Sequence, residues 1–200
     1  TLRKTMNIPV FHDDQHGTAI VVLAALFNAL RVVDKQIGDV RIVMSGAGAA
    51  GTAVIKLLLA AGATDVVVGD IDGVVHRGRA NLVGELEWLA QNTNHLDFQG
   101  SVREAVVGAD VFIGVSVPGV LSGSDVAAMA DGSIVFALAN PEPEVDPGEA
   151  SRYAAVVATG RSDFPNQINN VLAFPGVFRG LLDARCAHVS SSMLLAAARA

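Results

Sequence analysis

The sequence predicts an α/β fold in which a doubly wound parallel sheet carries helices on both faces. Apolar runs of strand length alternate with helical patterns along the chain, as expected for repeated βαβ units with right-handed crossovers. Of the 200 residues, 51% are hydrophobic and only 17% are charged, which is typical of a sheet covered on both faces. No low-complexity segment divides the chain, so residues 1–200 are interpreted as one large domain.

The predicted elements follow one another in the order that such a fold requires. Strands are expected at residues 8–11, 40–45, 66–68, 110–115, 134–138 and 155–158. Helices are expected at residues 18–35, 50–61, 81–91, 102–107, 124–129, 149–153 and from about 177 to the end. Gly62 follows the second helix, where a left-handed residue is favoured. Because the helical pattern continues to Ala200 without a stop signal, the domain is expected to be truncated at both ends.

Composition excludes several classes of protein. A net charge of −6 without a basic run disfavours nucleic acid as a partner. The single cysteine, Cys186, cannot form an internal disulfide and is compatible with a cytoplasmic location. The apolar helix near the N-terminus is shorter than the ~20 residues of a membrane span and contains Asn28 and Arg31. We therefore expect a buried core helix and no membrane association.

A glycine pattern, Gly46-Ala47-Gly48-Ala49-Ala50-Gly51, lies between an apolar strand and a helix. This context distinguishes a dinucleotide site from an ordinary strand–helix turn. Gly46 would permit the tight turn, Gly48 would let backbone N–H groups approach a pyrophosphate, and Gly51 would allow close packing of helix on strand. Ala49 and Ala50 have small side chains, which leave room for a phosphate group at the positive end of the helix. The pattern predicts a Rossmann-like cofactor site.

Asp70 ends the second strand of this unit, about twenty residues beyond the glycines. A carboxylate there would accept hydrogen bonds from the adenosine ribose hydroxyls, unless it is simply a solvated strand-end residue. It would also repel a 2′-phosphate, and neither Ile71 nor Asp72 supplies a cation. NAD is therefore the expected cofactor, and NADP remains open because Arg77 and Arg79 are close enough to fold back.

An acidic cluster, His12-Asp13-Asp14-Gln15-His16, precedes the first long helix. It could be a pair of imidazoles from a zinc hydrolase, a surface turn, or a pair of carboxylates that offer hard oxygen ligands to Mg²⁺ or Mn²⁺. Pro9 and Gly17 bracket the segment and argue against a continuous helical turn through both imidazoles. The carboxylate interpretation is favoured.

These two motifs and four others resemble the malic enzyme family, specifically the nicotinamide-binding domain of its bacterial type. The matching segments run in order across nearly the whole chain: residues 8–19, 46–51, 114–120, 136–141, 166–171 and 174–177. The resemblance implies an oxidoreductase that converts L-malate to pyruvate and CO₂, reduces NAD(P)⁺ and requires Mg²⁺ or Mn²⁺.

Family roles can be carried over residue by residue. By resemblance, Asp14 is a metal ligand and Asp13 hydrogen-bonds the catalytic lysine. Asn140 and Asn170 correspond to asparagines that hold the substrate and the nicotinamide, and Asn169 lies beside them at the cofactor.

Ser116 follows a predicted strand and is expected to line the nicotinamide cleft, where open α/β sheets bind ligands. The run from Gly114 to Pro118 superficially resembles a nucleophile elbow, but Pro118 stands where the second glycine belongs.

In the family, the catalytic tyrosine and lysine and two further metal ligands belong to an N-terminal domain that this chain does not match. We therefore expect the isolated chain to bind cofactor without turnover, with its own N-terminal domain as a partner and a homo-oligomer as the parent assembly. Three alternatives stay open: a malolactic enzyme, an amino-acid or 2-hydroxyacid dehydrogenase domain, and a non-catalytic nucleotide-sensing domain.

Overall fold

A computed structural model describes residues 5–80 and 82–200, and its centre is a six-stranded sheet. The strands are β1 Arg41–Ser45, β2 Asp65–Asp70, β3 Gly73–Val74, β4 Val111–Gly114, β5 Ile134–Ala137 and β6 Val156–Thr159. Their order across the sheet is β3-β2-β1-β4-β5-β6. All neighbours are parallel except β3, which pairs antiparallel with β2. The strand order reverses between β1 and β4, so ligands are expected at their carboxyl ends.

Helices connect the strands and cover the sheet. They are α1 Thr18–Val32, α2 Ala49–Ala60, α3 Glu85–Asn92, α4 Val102–Ala105, α5 Gly123–Ala127, α6 Pro147–Ala150, α7 Phe174–Asp183 and α8 Ser191–Arg199. A π-helical turn, Asp13–Gly17, precedes α1, and a 3₁₀ turn, Asn170–Leu172, precedes α7.

The core has two halves, one on each face of the sheet. Successive side chains of a strand point to opposite faces, so Ile42 and Met44 join one apolar cluster and Val43 joins the other. The first cluster includes Leu23 from α1 and Leu58 from α2, and both are buried. The second includes residues of α4 and α5. The predicted doubly wound α/β fold is thereby confirmed.

The stretch Asp13–Val32 is long and apolar enough to cross a membrane by length and composition. Within the protein, 56% of its most apolar window is buried. Leu23 and Leu26 have almost no exposed surface and belong to the core. Packing on the sheet accounts for the apolar character of this helix.

The prediction of a strand at residues 8–11 is wrong, because the structure forms no ladder there. Phe11, the last residue of this segment, makes contacts of a different kind. The Phe11 ring packs against the rings of Phe174 and Phe178, with centroids 5.9 and 6.4 Å away, and against His16 at 5.1 Å. Contact with aromatic rings of α7 thus replaces pairing with a sheet edge.

Other differences concern where helices begin and end. The helix predicted at residues 81–91 starts at Glu85, after Gly84 with a φ of 59°, and residue 81 lies outside the described residues. The helical pattern beyond residue 177 is divided into α7 and α8, with Arg185 left-handed between them at a φ of 48°. The left-handed conformation expected at Gly62 is present, with a φ of 106°.

Candidate functional site

The three glycines of the loop between β1 and α2 are needed for different reasons. Gly46 has a φ of 114°, and a Cβ there would lie 2.7 Å from the Val115 carbonyl oxygen. A Cβ on Gly51 would lie 1.8 Å from the Gly46 carbonyl oxygen, so helix and strand could not approach. At Gly48, by contrast, no atom of the described residues lies within 4 Å of such a Cβ. The open side of Gly48 therefore suits a group from outside the chain.

The first turn of α2 adds an electrostatic preference to this open space. Ala49 and Ala50 begin the helix, and no side chain among the described residues caps it. The unpaired N–H groups and the dipole at a helix N-terminus favour an anion. A dinucleotide pyrophosphate fits this charge and this opening.

Asp70, at the end of β2, is held by two neighbours. Its Oδ2 accepts a hydrogen bond from Arg79 Nη2 at 2.8 Å, and its Oδ1 accepts one from the Asp72 backbone N–H at 2.9 Å. Arg79 also donates to Asp72 Oδ2 at 3.0 Å, and the hydrogen bond to Asp70 leads the effects that raise the pKa of Arg79. Arg79 thus folds back as the sequence allowed, but two carboxylates already neutralise its charge.

A cavity of about 560 Å³ extends across the carboxyl ends of the central strands. Its walls include Gly46, Asp70, Ser116, Gly100 and Val120. Three residues that the sequence assigned to the cofactor thus face one space, at the point where the strand order reverses.

Ser116 and Asn140 follow β4 and β5 at the same edge. Ser116 Oγ lies 2.8 Å from Ser45 Oγ, which ties the end of β4 to the end of β1. Asn140 is exposed and is joined to Pro141 by a cis peptide bond. The structure adds a residue that the sequence analysis missed: the buried carboxylate of Glu144 accepts the Ser116 N–H at 2.7 Å. Among the acidic residues of the loop 141–148, nothing in the sequence distinguished Glu144 as buried.

The acidic turn is brought against the asparagine turn from the far end of the chain. Asn170 Nδ2 donates to Asp13 Oδ2 at 2.6 Å, although 157 positions separate the two residues. Asp13 Oδ1 is buried and has no hydrogen-bond partner among the described residues. Gly17 is required here, since a Cβ would lie 2.4 Å from that oxygen. Asp13 is therefore fixed by one oxygen and offers the other to a donor.

The two imidazoles of the cluster do not form a metal-binding pair. His12 is extended, and its backbone N–H donates to His16 Nδ1 at 2.9 Å. Among residues 5–80 and 82–200, no group of three or more His, Cys, Asp or Glu side chains could hold a metal ion. Asp14 is exposed and supplies a single carboxylate. The donor set fits one ligand of a divalent cation, and the others would have to come from elsewhere.

Asn169 has a local role. Its Oδ1 accepts the Val171 N–H at 3.0 Å and caps the 3₁₀ turn that carries Asn170. The structure thus brings Asp13 to Asn170, and Gly46 to Asp70 and Ser116, while Asn140 and Asn169 make no hydrogen bond to either group within the described part of the chain. The cofactor and substrate roles of these residues stay predictions.

The acidic turn lies beside α2. Gln15 and His16 share a second cavity, of about 330 Å³, with Ala49 and Thr52 of α2. The residues that follow the two carboxylates therefore face the helix whose N-terminus would hold the pyrophosphate.

Comparison with known proteins agrees with this geometry. A sequence model described as the malic enzyme NAD-binding domain matches residues 15–200. The chain is 53% identical over its whole length to an NAD-dependent malic enzyme of Geobacillus stearothermophilus, and it covers 42% of that protein. It is 52% identical to a bifunctional malic/malolactic enzyme of Bacillus subtilis and 49% identical to an NADP-dependent malic enzyme of Escherichia coli. It covers 49% and 26% of these, so it spans half or less of the length of these relatives.

Solved structures give the same result. An NAD-dependent malic enzyme of Thermotoga maritima superimposes with a TM-score of 0.93 and 44% identity, covering 98% of this chain and 53% of its own. A malic enzyme of Pyrococcus horikoshii superimposes with a TM-score of 0.94 and 45% identity, covering 100% of this chain and 48% of its own.

Proposed function

The chain belongs to the malic enzyme family as its NAD(P)-binding domain, and on this premise we propose that it serves the oxidative decarboxylation of L-malate to pyruvate and CO₂. The observation that carries the proposal is the Asp13–Asn170 hydrogen bond, which belongs to the turn that packs against α2. It fixes a carboxylate with one orphaned oxygen in a turn beside the helix whose N-terminus is proposed to bind the nucleotide.

The nucleotide would lie along the carboxyl edge of the sheet. The N-terminus of α2 would hold the pyrophosphate across the open side of Gly48. Asp70 would accept hydrogen bonds from the adenosine ribose hydroxyls. Each of its carboxylate oxygens already accepts one hydrogen bond and can accept another. Ser116 and Asn140 would then adjoin the nicotinamide, at the ends of β4 and β5.

Asp13 would orient the group that accepts the proton of the malate hydroxyl during hydride transfer. By family resemblance that group is a lysine, and a donor of this kind suits the buried, unpartnered Oδ1. Asp14 would contribute one oxygen ligand to Mg²⁺ or Mn²⁺, whose Lewis acidity stabilises the negative charge that develops as CO₂ leaves. Two partners would complete the enzyme. The protein's own N-terminal domain would supply the lysine and the remaining metal ligands, and a second copy of the protein would form the homo-oligomer.

NAD⁺ is proposed as the preferred cofactor. Asp70 and Asp72 carry two negative charges against the one positive charge of Arg79, so their cluster repels a 2′-phosphate. Arg103 also lines the cavity that Asp70 and Asp72 share, and Asp125 Oδ2, 3.8 Å from Arg103 Nε, partly offsets its charge.

Calorimetric titration of the folded chain with NAD⁺ and NADP⁺ tests this site. We expect saturable binding of NAD⁺, weaker binding of NADP⁺, and a rise of about 10- to 100-fold in the NAD⁺ Kd for Asp70→Ala, the range for hydrogen bonds to a charged group. Asp163→Ala is a matched control, because Asp163 is an exposed carboxylate paired with an arginine outside the cavity. Tighter binding of NADP⁺ would overturn the role given to Asp70.

A malolactic reaction is the second candidate, favoured by the 52% identity to a bifunctional malic/malolactic enzyme. Product analysis of the complete enzyme separates the two reactions. Pyruvate that accumulates in step with NADH supports the malic reaction, and lactate without net NADH supports the malolactic one.

A further inference from the structure

We propose that Glu144 is a positioning residue that sets the nicotinamide end of the cofactor cleft, an assignment that rests on the proposed function of that cleft. Glu144 lies in the loop after β5 and has no exposed surface. It is among the largest fully buried side chains of the protein, in a set that is otherwise entirely apolar. A carboxylate buried to this extent requires an explanation, because a buried charge lowers the stability of a protein unless ion pairs or hydrogen bonds compensate it.

The two carboxylate oxygens bind two different loops. Oε1 accepts the Ser116 backbone N–H at 2.7 Å, and Oε2 accepts the Ala139 backbone N–H at 2.9 Å. Ser116 Oγ lies 3.3 Å from Oε1 and 2.8 Å from Ser45 Oγ. One side chain therefore joins the ends of β4 and β5 directly and the end of β1 through Ser116.

The surroundings of Glu144 are tightly packed. A Cβ on Gly114 would lie 2.3 Å from Glu144 Cδ, so the side chain fits against bare backbone at the end of β4. The Leu121 N–H donates to the Glu144 carbonyl at 3.0 Å and fixes its main chain. The carboxylate is thus a rigid strut between the loops that present Ser116 and Asn140.

An ionised carboxylate offers one acceptor oxygen to each of the two backbone N–H groups. Within the described residues, no Lys, Arg or His forms an ion pair with Glu144, and burial raises its pKa while the Ala139 and Ser116 N–H groups oppose that effect. A glutamine in the same place offers one acceptor oxygen, and its NH₂ group would face the N–H of Ser116 or Ala139. One of the two loops would then be released.

The predicted consequence is confined to one end of the cofactor. The loops joined by Glu144 lie at β4 and β5, whereas the adenosine ribose is assigned to Asp70 at the end of β2. Loss of the strut should weaken binding of the nicotinamide and leave binding of the adenosine diphosphate part nearly unchanged. A purely structural contribution would affect both parts alike.

The test is calorimetric titration of the chain and of E144Q with NAD⁺ and with ADP-ribose, which lacks only the nicotinamide. We expect E144Q to raise the ratio of the NAD⁺ Kd to the ADP-ribose Kd about tenfold, as for an unsatisfied buried donor. E149Q is the matched control. The exposed Glu149 carboxylate also accepts a backbone N–H, that of Gly123 at 3.2 Å, but it does not line the cleft. The ratio of the two Kd values for E149Q should equal that of the wild type.

E144D keeps both acceptors on a shorter side chain and should restore part of the ratio. If circular dichroism shows that E144Q is unfolded, E144D gives the same comparison with a smaller shift in the same direction. An unchanged ratio in the folded variant overturns the assignment while the wild type still binds NAD⁺. Wild-type chain that binds neither ligand overturns the proposed function and this assignment together.

Discussion

The glycine loop and the acidic turn lie next to each other, but they differ in how much of their structure this chain explains. Gly46 and Gly51 are required by backbone atoms of the chain itself, and the cavity beside them is bounded by Asp70 and Ser116. In the acidic turn, Asp13 Oδ1 lacks a partner among the described residues, and Asp14 stands exposed. The walls of the proposed nucleotide site thus come from this chain, whereas the proposed metal and catalytic centre at the turn would need further groups.

The largest effect expected from this contrast is on turnover. The described residues offer one exposed carboxylate, Asp14, to the proposed cation. We therefore predict that the chain with malate, Mn²⁺ and NAD⁺ produces NADH at least about 10³-fold more slowly than a full-length malic enzyme, as when catalytic groups are removed. The measurement is absorbance at the NADH band, with NAD⁺ binding as the control for an intact cofactor site. Robust NADH production would show that the acidic turn needs no groups from outside this chain, and would contradict the contrast drawn with the glycine loop.

Two glycine substitutions separate a packing requirement from a ligand requirement. Gly51→Ala should lower the free energy of unfolding by about 3 kcal/mol, because the new methyl would meet the Gly46 carbonyl. Gly48→Ala should change stability by less than about 1 kcal/mol and still weaken NAD⁺ binding, because its methyl would enter the space left for the pyrophosphate. Chemical denaturation and calorimetry measure the two quantities. Unchanged NAD⁺ affinity in Gly48→Ala would remove the main support for that space.

One substitution on each side of the Asp13–Asn170 hydrogen bond separates the bonded oxygen of Asp13 from its orphaned oxygen. Asn170→Ala should lower the free energy of unfolding by about 1.5–3 kcal/mol, because it removes a hydrogen bond to a carboxylate. Asp13→Asn keeps an acceptor for Asn170 and should change stability by less than about 0.5 kcal/mol. Urea denaturation of both variants decides the matter. A large loss in Asp13→Asn would show that Oδ1 already has a stabilising role within the chain.

The smallest effect concerns pH. Burial raises the pKa of Glu144 above its ordinary value of 4.5, so the folded chain holds this proton more tightly than the unfolded chain does. Its contribution to stability is therefore fully present below pH 4.5 and is lost as pH rises through the folded pKa. Melting temperatures of wild type and E144Q should be closest at low pH, and that of the wild type should fall relative to that of E144Q as pH rises through the folded pKa. Parallel curves would contradict the raised pKa.

The parts of the fold predicted from sequence are those set by periodicity and local chemistry. Five of the six strands, the glycine loop and Asp70 follow from apolar runs bounded by Gly and Asp. The sixth, β3, has two residues, which is too short for any pattern to show. The segment 8–11 has the composition of a strand, but its Phe11 ring packs on aromatic rings of α7, far along the chain.

The parts of the site that escaped prediction depend on contacts between distant residues. The sequence indicated only that Arg79 is close enough to fold back toward Asp70. It did not predict that Arg79 pairs with both Asp70 and Asp72. The burial of Glu144 depends on bare backbone at Gly114, which the sequence does not connect to it. Family resemblance indicated Asp13 and Asn170 separately, and only the structure joins them.

That last contact has a consequence for the order in which the protein matures. The strand, loop and helix that form the glycine motif are neighbours in sequence, whereas the bond between Asp13 and Asn170 closes a loop of 157 positions. Closing long loops is entropically costly and comes late in folding. During synthesis from the N-terminus, Asn170 also emerges only after all six strands have been made. We therefore expect the Asp13 carboxylate to reach its final position after the glycine loop, the proposed nucleotide site, has formed.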